Sequence, residues 1–380
     1  MFAQEIRELQ KKELLRVILS RASAAGPMIT LRGKKFINFA SNDYLGLANH
    51  PDVLNAARAA LEIYGFGSGA SRLLAGGAVL HDRLERSVAG FKEVPAARMF
   101  NSGYAANTGV IPALSSEQDV IFSDERNHAS IIDGCRLSSA QTVIYHHGDV
   151  AHLEQLLKQR CRGRRIVVTD TVFSMDGDIA PLPDLYRLCR RKSALLYLDD
   201  AHGTGVLGKG RGALAHFNIR PEPWIVQMGT FSKACGSFGA FVAGSSDVID
   251  WISNTARSLL FSTALPAAEA AASIAALRII RKTPQLVEKL WLSRSRLVEG
   301  LEALGYDTMQ SETPIIPVKA ASVHDAVRLS HFLCEGGVYA PAIRPPTVKE
   351  PRIRITVSAA HADSHVEKLL VLMKKWKKKG

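Results

Sequence analysis

Residues 194–238 read ALLYLDDAHGTGVLGKGRGALAHFNIRPEPWIVQMGTFSKACGSF. Two short apolar runs, Ala194–Leu198 and Trp224–Met228, have the length and flanks of buried strands. The first ends in Asp199, Asp200 and His202, the second in Thr230, Ser232 and Lys233. In an open parallel sheet, ligands bind just beyond the carboxyl ends of the strands. The reading therefore brings an acid, an imidazole and an amine into one crevice. That set suits pyridoxal 5'-phosphate, which takes a lysine as Schiff base and an acidic partner for its ring nitrogen. Thr230 and Ser232 would supply short hydroxyl donors to the phosphate. Asp200 should point away from Asp199 in strand geometry and reads as structural.

Working outward, strands alternate with helices. Ala97–Phe100, Val120–Phe122, Ile166–Thr169, Phe241–Ala243 and Leu259–Phe261 read as further strands, and Pro51–Tyr64, Ala105–Leu114 and Asp184–Lys192 as helices. Strand, helix, strand in repeated order predicts an α/β fold with a mostly parallel sheet. Ser102 precedes a helix and can both cap it and donate to an anion, together with the N–H groups of Gly103 and Tyr104. From Pro266 the chain shifts to long helices, Ala267–Arg281 and Gln285–Leu304, broken at Thr283-Pro284. Strands at Ile315–Val318 and Ile353–Val357 and helices at Val323–Cys334 and Ala362–Trp376 complete a smaller α+β region. The predicted partition is an arm over 1–45, a large cofactor-binding domain over 46–265 and a small domain over 266–380. Within the arm, Glu5–Ser20 reads as one amphipathic helix.

Composition is that of an ordinary globular protein, with 47% hydrophobic and 22% charged residues. Five scattered cysteines with no metal-ligand spacing point to reduced thiols in the cytoplasm. No run is long and apolar enough for a membrane span. His146-His147 lacks a third ligand at zinc spacing, so no metal is expected. The net charge of +12 would attract an anionic partner. The basic tail Lys374–Lys379 also suits a solvated helix end. A DNA-binding regulator would need a helix-turn-helix, and the arm offers none of the required size. Pro345-Pro346 fixes an extended turn that would pin Arg344, and Arg352 and Arg354 fall on one side of a strand.

Beyond the central block, FNSGYAANTGV (100–110), SDERNHASIIDG (123–134), TVFSMDGD (171–178), DDAHGTGVLG (199–208) and GTFSKACGSFG (229–239) resemble the α-oxoamine synthase family of pyridoxal-phosphate enzymes. The resemblance runs from about Asn38 to about His361. It implies the aspartate-aminotransferase-like fold (fold type I) and a homodimer with shared active sites. It also implies that His128 stacks over the cofactor ring, that His202 and Ser174 approach the ring oxygen, and that Ser262 and Thr263 reach the phosphate in the neighbouring subunit. Arg16, Asn42, His128, Arg344 and Arg354 would meet substrate, Arg354 through the amino-acid carboxylate. The block AIRPPTV (342–348) is most similar to the branch that joins L-alanine to a pimeloyl thioester. The thioester carrier, coenzyme A or acyl carrier protein, stays open. Branches taking glycine or serine share most of the same motifs.

Overall fold

The computed structural model describes residues 2–378, so Lys379 of the basic tail lies outside it. The strands are β1 Met28–Leu31, β2 Lys34–Asn38, β3 Ala96–Phe100, β4 Val120–Asp124, β5 Gln141–Tyr145, β6 Arg165–Asp170, β7 Leu195–Asp199, β8 Ile225–Thr230, β9 Ala240–Gly244, β10 Ile315–Lys319, β11 Val338–Tyr339, β12 Ala342–Ile343 and β13 Arg352–Thr356. By contacts the chain divides into a larger unit, His50–Phe173 with Ile179–Val287, and a smaller one, Met1–Asn49 with Ser174–Asp178 and Glu288–Gly380.

The larger unit is built on a seven-stranded sheet in the order β3-β9-β8-β7-β6-β4-β5. Only β9 runs against the other six. Every residue of β4, β8 and β9 is buried, which follows from helices covering both faces of a parallel sheet. One face packs Val168, Tyr197, Val226 and Val242 against Val110 and Ile131 of the helices Gly103–Ala113 and Ala129–Leu137. The two central strands predicted from sequence are present, each beginning one residue later, and they end one and two residues further toward the reactive end. The carboxyl ends of β4, β6, β7 and β8 thus carry Asp124, Asp170, Asp199 and Thr230.

Two local expectations are corrected. Leu259–Phe261 is not a strand: Arg257–Leu260 forms a helical turn that buries Leu259. Short apolar runs carry no periodicity that separates the two states. In the arm, the helix is Ala3–Lys11 and stops well before Ser20, with Glu13 at φ 55°. None of its residues is buried, and a helix this short gains little without a packed face. The expected partition places a boundary at 265/266; by contacts the helix Ala267–Lys282 lies in the larger unit, where Ala268 and Ala271 meet Ala56, Ala57 and Ala60.

The smaller unit holds two three-stranded sheets, β1-β2-β11 and β10-β13-β12. Strand β13 is central to the second and buried along its whole length.

Candidate active site

A cavity of about 230 Å³ opens at the carboxyl ends of β6, β7 and β8 in the larger unit. Its lining includes Ser102, Gly103, Tyr104, His128, Asp170, Asp199, His202, Thr230 and Lys233. All the cofactor candidates of the larger unit except Ser262 and Thr263 therefore meet in one place. Those two lie beside Asn101, whose Nδ2 donates to Ser262 Oγ at 2.8 Å and to the Thr263 carbonyl at 2.9 Å.

Local sequence explains the convergence. Ser102 caps the helix Gly103–Ala113, its Oγ accepting from Ala105 N–H at 3.1 Å, so the positive end of that helix faces the cavity. Thr230 Oγ1 and Ser232 Oγ are 2.6 Å apart, and Thr230 donates to the Gly239 carbonyl at 2.8 Å. The loop after β7 packs on the Lys233 turn through Gly205, at φ +81°, where any Cβ would collide with Ala234. Tyr104 is half exposed, and its hydroxyl donates to Asp133.

Burial pushes the Asp199 carboxyl above the usual carboxylate range, while the Lys233 charge, the Asn107 amide, the Ala201 N–H and His128 pull it back. Asp199 pairs in register with Asp170 on β6. Burial first, and Asp199 second, push Asp170 well above that range too. Asp170 accepts the His128 backbone N–H at 2.7 Å. Burial lowers the His128 imidazole from its ordinary value. Asp200 turns the other way, as strand alternation requires, and is held by buried Lys92 at 2.7 Å, Thr171 at 2.7 Å and Thr204 at 2.9 Å.

The donor set fits pyridoxal phosphate on its chemistry. A buried carboxylate stands ready for a protonated ring nitrogen, a lysine shares the cavity, and a helix N-terminus with two hydroxyls suits a phosphate. Among the described residues no cluster of His, Cys, Asp or Glu could hold a metal.

Apart from His128, the substrate candidates lie in the smaller unit. Arg354 on β13 is 6% exposed. It donates to the Ser174 carbonyl at 2.6 Å, to Thr356 Oγ1 at 2.9 Å and to Asn42 Oδ1 at 3.2 Å. Arg352 is buried and forms an ion pair with Asp176. Arg16 donates to Thr347 Oγ1 at 2.6 Å, and Arg344 to the Leu15 carbonyl at 2.8 Å. Both line a cavity of about 930 Å³ with Val17, Phe36 and Tyr339.

The sequence reading missed Asn107, Ser130 and Asp170. Asp170 had a usable signal, an acid that closes a strand-like run (RIVVTD), as Asp199 closes ALLYLD. Asn107 had a weaker one, a lone amide in an apolar helix.

The fold and this lysine-bearing cavity define a pyridoxal-phosphate enzyme of fold type I. A sequence profile described as aminotransferase class I and II matches residues 34–371. The chain belongs to that family and, within it, to the α-oxoamine synthases. It is 48% identical over 378 residues to the 8-amino-7-oxononanoate synthase of Geobacter metallireducens, covering 98% of this chain and 96% of that one. It is 46% identical to the enzyme of the same name from Thermoanaerobacter pseudethanolicus, covering 98% and 95%. Among solved structures, Sphingomonas wittichii serine palmitoyltransferase matches with a TM-score of 0.94 at 30% identity, covering 100% of this chain and 97% of that one. The Francisella tularensis 8-amino-7-oxononanoate synthase matches with a TM-score of 0.80 at 27% identity, covering 90% and 98%.

Proposed function

We propose that the protein condenses L-alanine with a pimeloyl thioester, releasing carbon dioxide and a thiol and forming 8-amino-7-oxononanoate for biotin biosynthesis. The observation that carries the reading is the meeting of Asp199, His128, Lys233 and the Ser102 helix terminus in one cavity. Bound pyridoxal phosphate supplies an electron sink that stabilises negative charge at the amino-acid Cα. Lys233 would hold the cofactor covalently and, once displaced, take the Cα proton as general base. Asp199 would keep a proton on the ring nitrogen, and that cationic partner offsets the cost of burying its charge. His202 and Ser174 are assigned to the ring oxygen and His128 to the ring face. Ser102, Gly103, Tyr104 and Thr230 are assigned to the phosphate.

Arg354 would clamp the amino-acid carboxylate, with Asn42 beside it. Arg16 and Arg344 are assigned to the acyl substrate. The large exposed side chains Phe66, Leu73, Leu74 and Phe261 support a homodimer, in which Ser262 and Thr263 would serve the neighbouring subunit's phosphate. The net charge of +12 suits either anionic carrier, coenzyme A or acyl carrier protein. No described helix is long and apolar enough to cross a membrane, and none of the five cysteines is in a disulfide; both accord with a cytoplasmic enzyme.

The test is direct. Purified protein is given pyridoxal phosphate, L-alanine and pimeloyl-coenzyme A, and the amino ketone is sought by mass spectrometry. Product is expected with alanine. Product only from glycine with acetyl-coenzyme A would transfer the reading to another branch of the family.

A further inference from the structure

One amide joins the acid of this cavity to its imidazole. Asn107 is fully buried. Its Nδ2 donates to Asp199 Oδ2 at 2.7 Å and to Ser130 Oγ at 2.8 Å. The Tyr197 hydroxyl donates to its Oδ1 at 2.8 Å. An ionised carboxylate only accepts hydrogen bonds, so the carboxylate and the phenol together fix which way the amide faces. The helices carrying Asn107 and Ser130 approach closely because residue 134 is glycine: a Cβ there would stand 2.7 Å from the Asn107 carbonyl oxygen.

The chain of bonds continues to the ring. Ser130 Oγ accepts from Asn107 and lies 2.7 Å from His128 Nδ1. The Ser130 backbone N–H points at the same ring atom at 3.3 Å. Nδ1 is therefore an acceptor, and a neutral ring carries its proton on Nε2.

We propose that Asn107, with Tyr197 and Ser130, is a positioning residue that holds Asp199 as a carboxylate and His128 as the Nε2–H tautomer. The catalytic meaning of this assignment rests on the cofactor reading above; the tautomer itself does not. Protonating Nδ1 would aim a second donor at Ser130 Oγ and leave the hydroxyl proton without its acceptor. The relay thus resists the imidazolium. Among the charged groups around the ring, Asp199 favours that cation and Lys233 opposes it, while Asp170 accepts the His128 backbone N–H. At neutral pH the ring would offer an uncharged N–H donor.

The test uses full-length, cofactor-free protein labelled with ¹⁵N in its histidine rings, with His128→Gln identifying the signal. The expected wild-type result is a bare Nδ1 and a protonated Nε2 between about pH 6 and about pH 8. Ser130→Ala and Asn107→Leu are expected to raise the midpoint of ring protonation by roughly one unit. In the pyridoxal-phosphate-loaded Ser130→Ala protein, the pH midpoint of the cofactor absorbance should move the opposite way, because an imidazolium and a cationic lysine nitrogen repel each other. A proton on Nδ1 in the wild type, or an unmoved midpoint in Ser130→Ala, overturns the proposal. Should Asn107→Leu not fold, the wild-type and Ser130→Ala spectra still decide. Loss of the cofactor reading would show as failure to bind pyridoxal phosphate with the ring signals unchanged, so the two failures are distinct.

Discussion

The cavity of the larger unit and the arginine strand of the smaller unit bury charge in opposite ways. At the ends of β6 and β7, two carboxylates sit side by side with a lysine and an imidazole in the same cavity. Their charges depend on one another. On β13, Arg352 and Arg354 are both buried and two residues apart, yet they differ. Arg352 is neutralised by Asp176. Arg354 is held by a carbonyl, a hydroxyl and an amide oxygen. Those acceptors, with the Tyr44 hydroxyl, are neutral and do not cancel its charge. A guanidinium kept cationic by neutral partners is suited to an incoming carboxylate. Burial is common to both regions; the partners decide whether a charge is structural or available.

The largest effect expected lies in the cavity. Lys233→Ala should lower kcat by at least about 10³-fold, because the same amine both anchors the cofactor and moves the proton. The absorbance band of lysine-bound pyridoxal phosphate should vanish as well. A variant that keeps the band would break the assignment of the cavity's role.

On β13 the two arginines should fail differently. Arg352→Ala removes the guanidinium that pairs with the mostly buried Asp176, and breaking a buried pair costs about 3–5 kcal/mol. It should appear as a lowered denaturation midpoint with KM for L-alanine little changed in the protein that folds. Arg354→Lys removes the planar fork but keeps the charge. Its loss should fall on KM for L-alanine, by roughly 10- to 100-fold, the worth of a charge-assisted hydrogen bond. If Arg352→Ala raised KM and Arg354→Lys only lowered stability, the distinction drawn from their partners would be wrong.

This contrast was half visible in the sequence. The strand ends could be read because reactive residues directly follow apolar runs, as Asp199 follows ALLYL and Lys233 follows WIVQMGTFS. Strand alternation separated Asp199 from Asp200, and Asp200 indeed turns to Lys92. Alternation could not separate Arg352 from Arg354, which share a face; only Asp176, distant in sequence, tells them apart. Asn107 and Ser130 were hidden for the same reason, since their meaning depends on two helices packing across Gly134. The arm was misread because amphipathic spacing extends to Ser20, whereas the helix has no buried face to hold it beyond Lys11. Local pattern announces a strand end; which neighbour arrives there is a property of the fold.

The smallest effect expected concerns Asp170, a carboxylate that the sequence reading passed over. Burial and its neighbour Asp199 hold its folded-state pKa well above the ordinary carboxylate value. Between the unfolded and folded values, the folded chain binds the proton more tightly. Its protonation therefore favours folding most at and below the unfolded value, and that advantage is lost as pH rises through the folded one. At alkaline pH the cofactor-free protein bears the cost of two buried anions on adjacent strands. Asp170→Asn removes one of them and keeps an oxygen to accept the His128 N–H. The variant should melt a few degrees higher than wild type near pH 8, with the gap closing toward pH 4. Thermal unfolding across that range checks it. A variant less stable than wild type by the same margin at both ends would mean that Asp170 acts through its hydrogen bond alone, and that the carboxylates of the larger unit are no more strained than the arginines of the smaller.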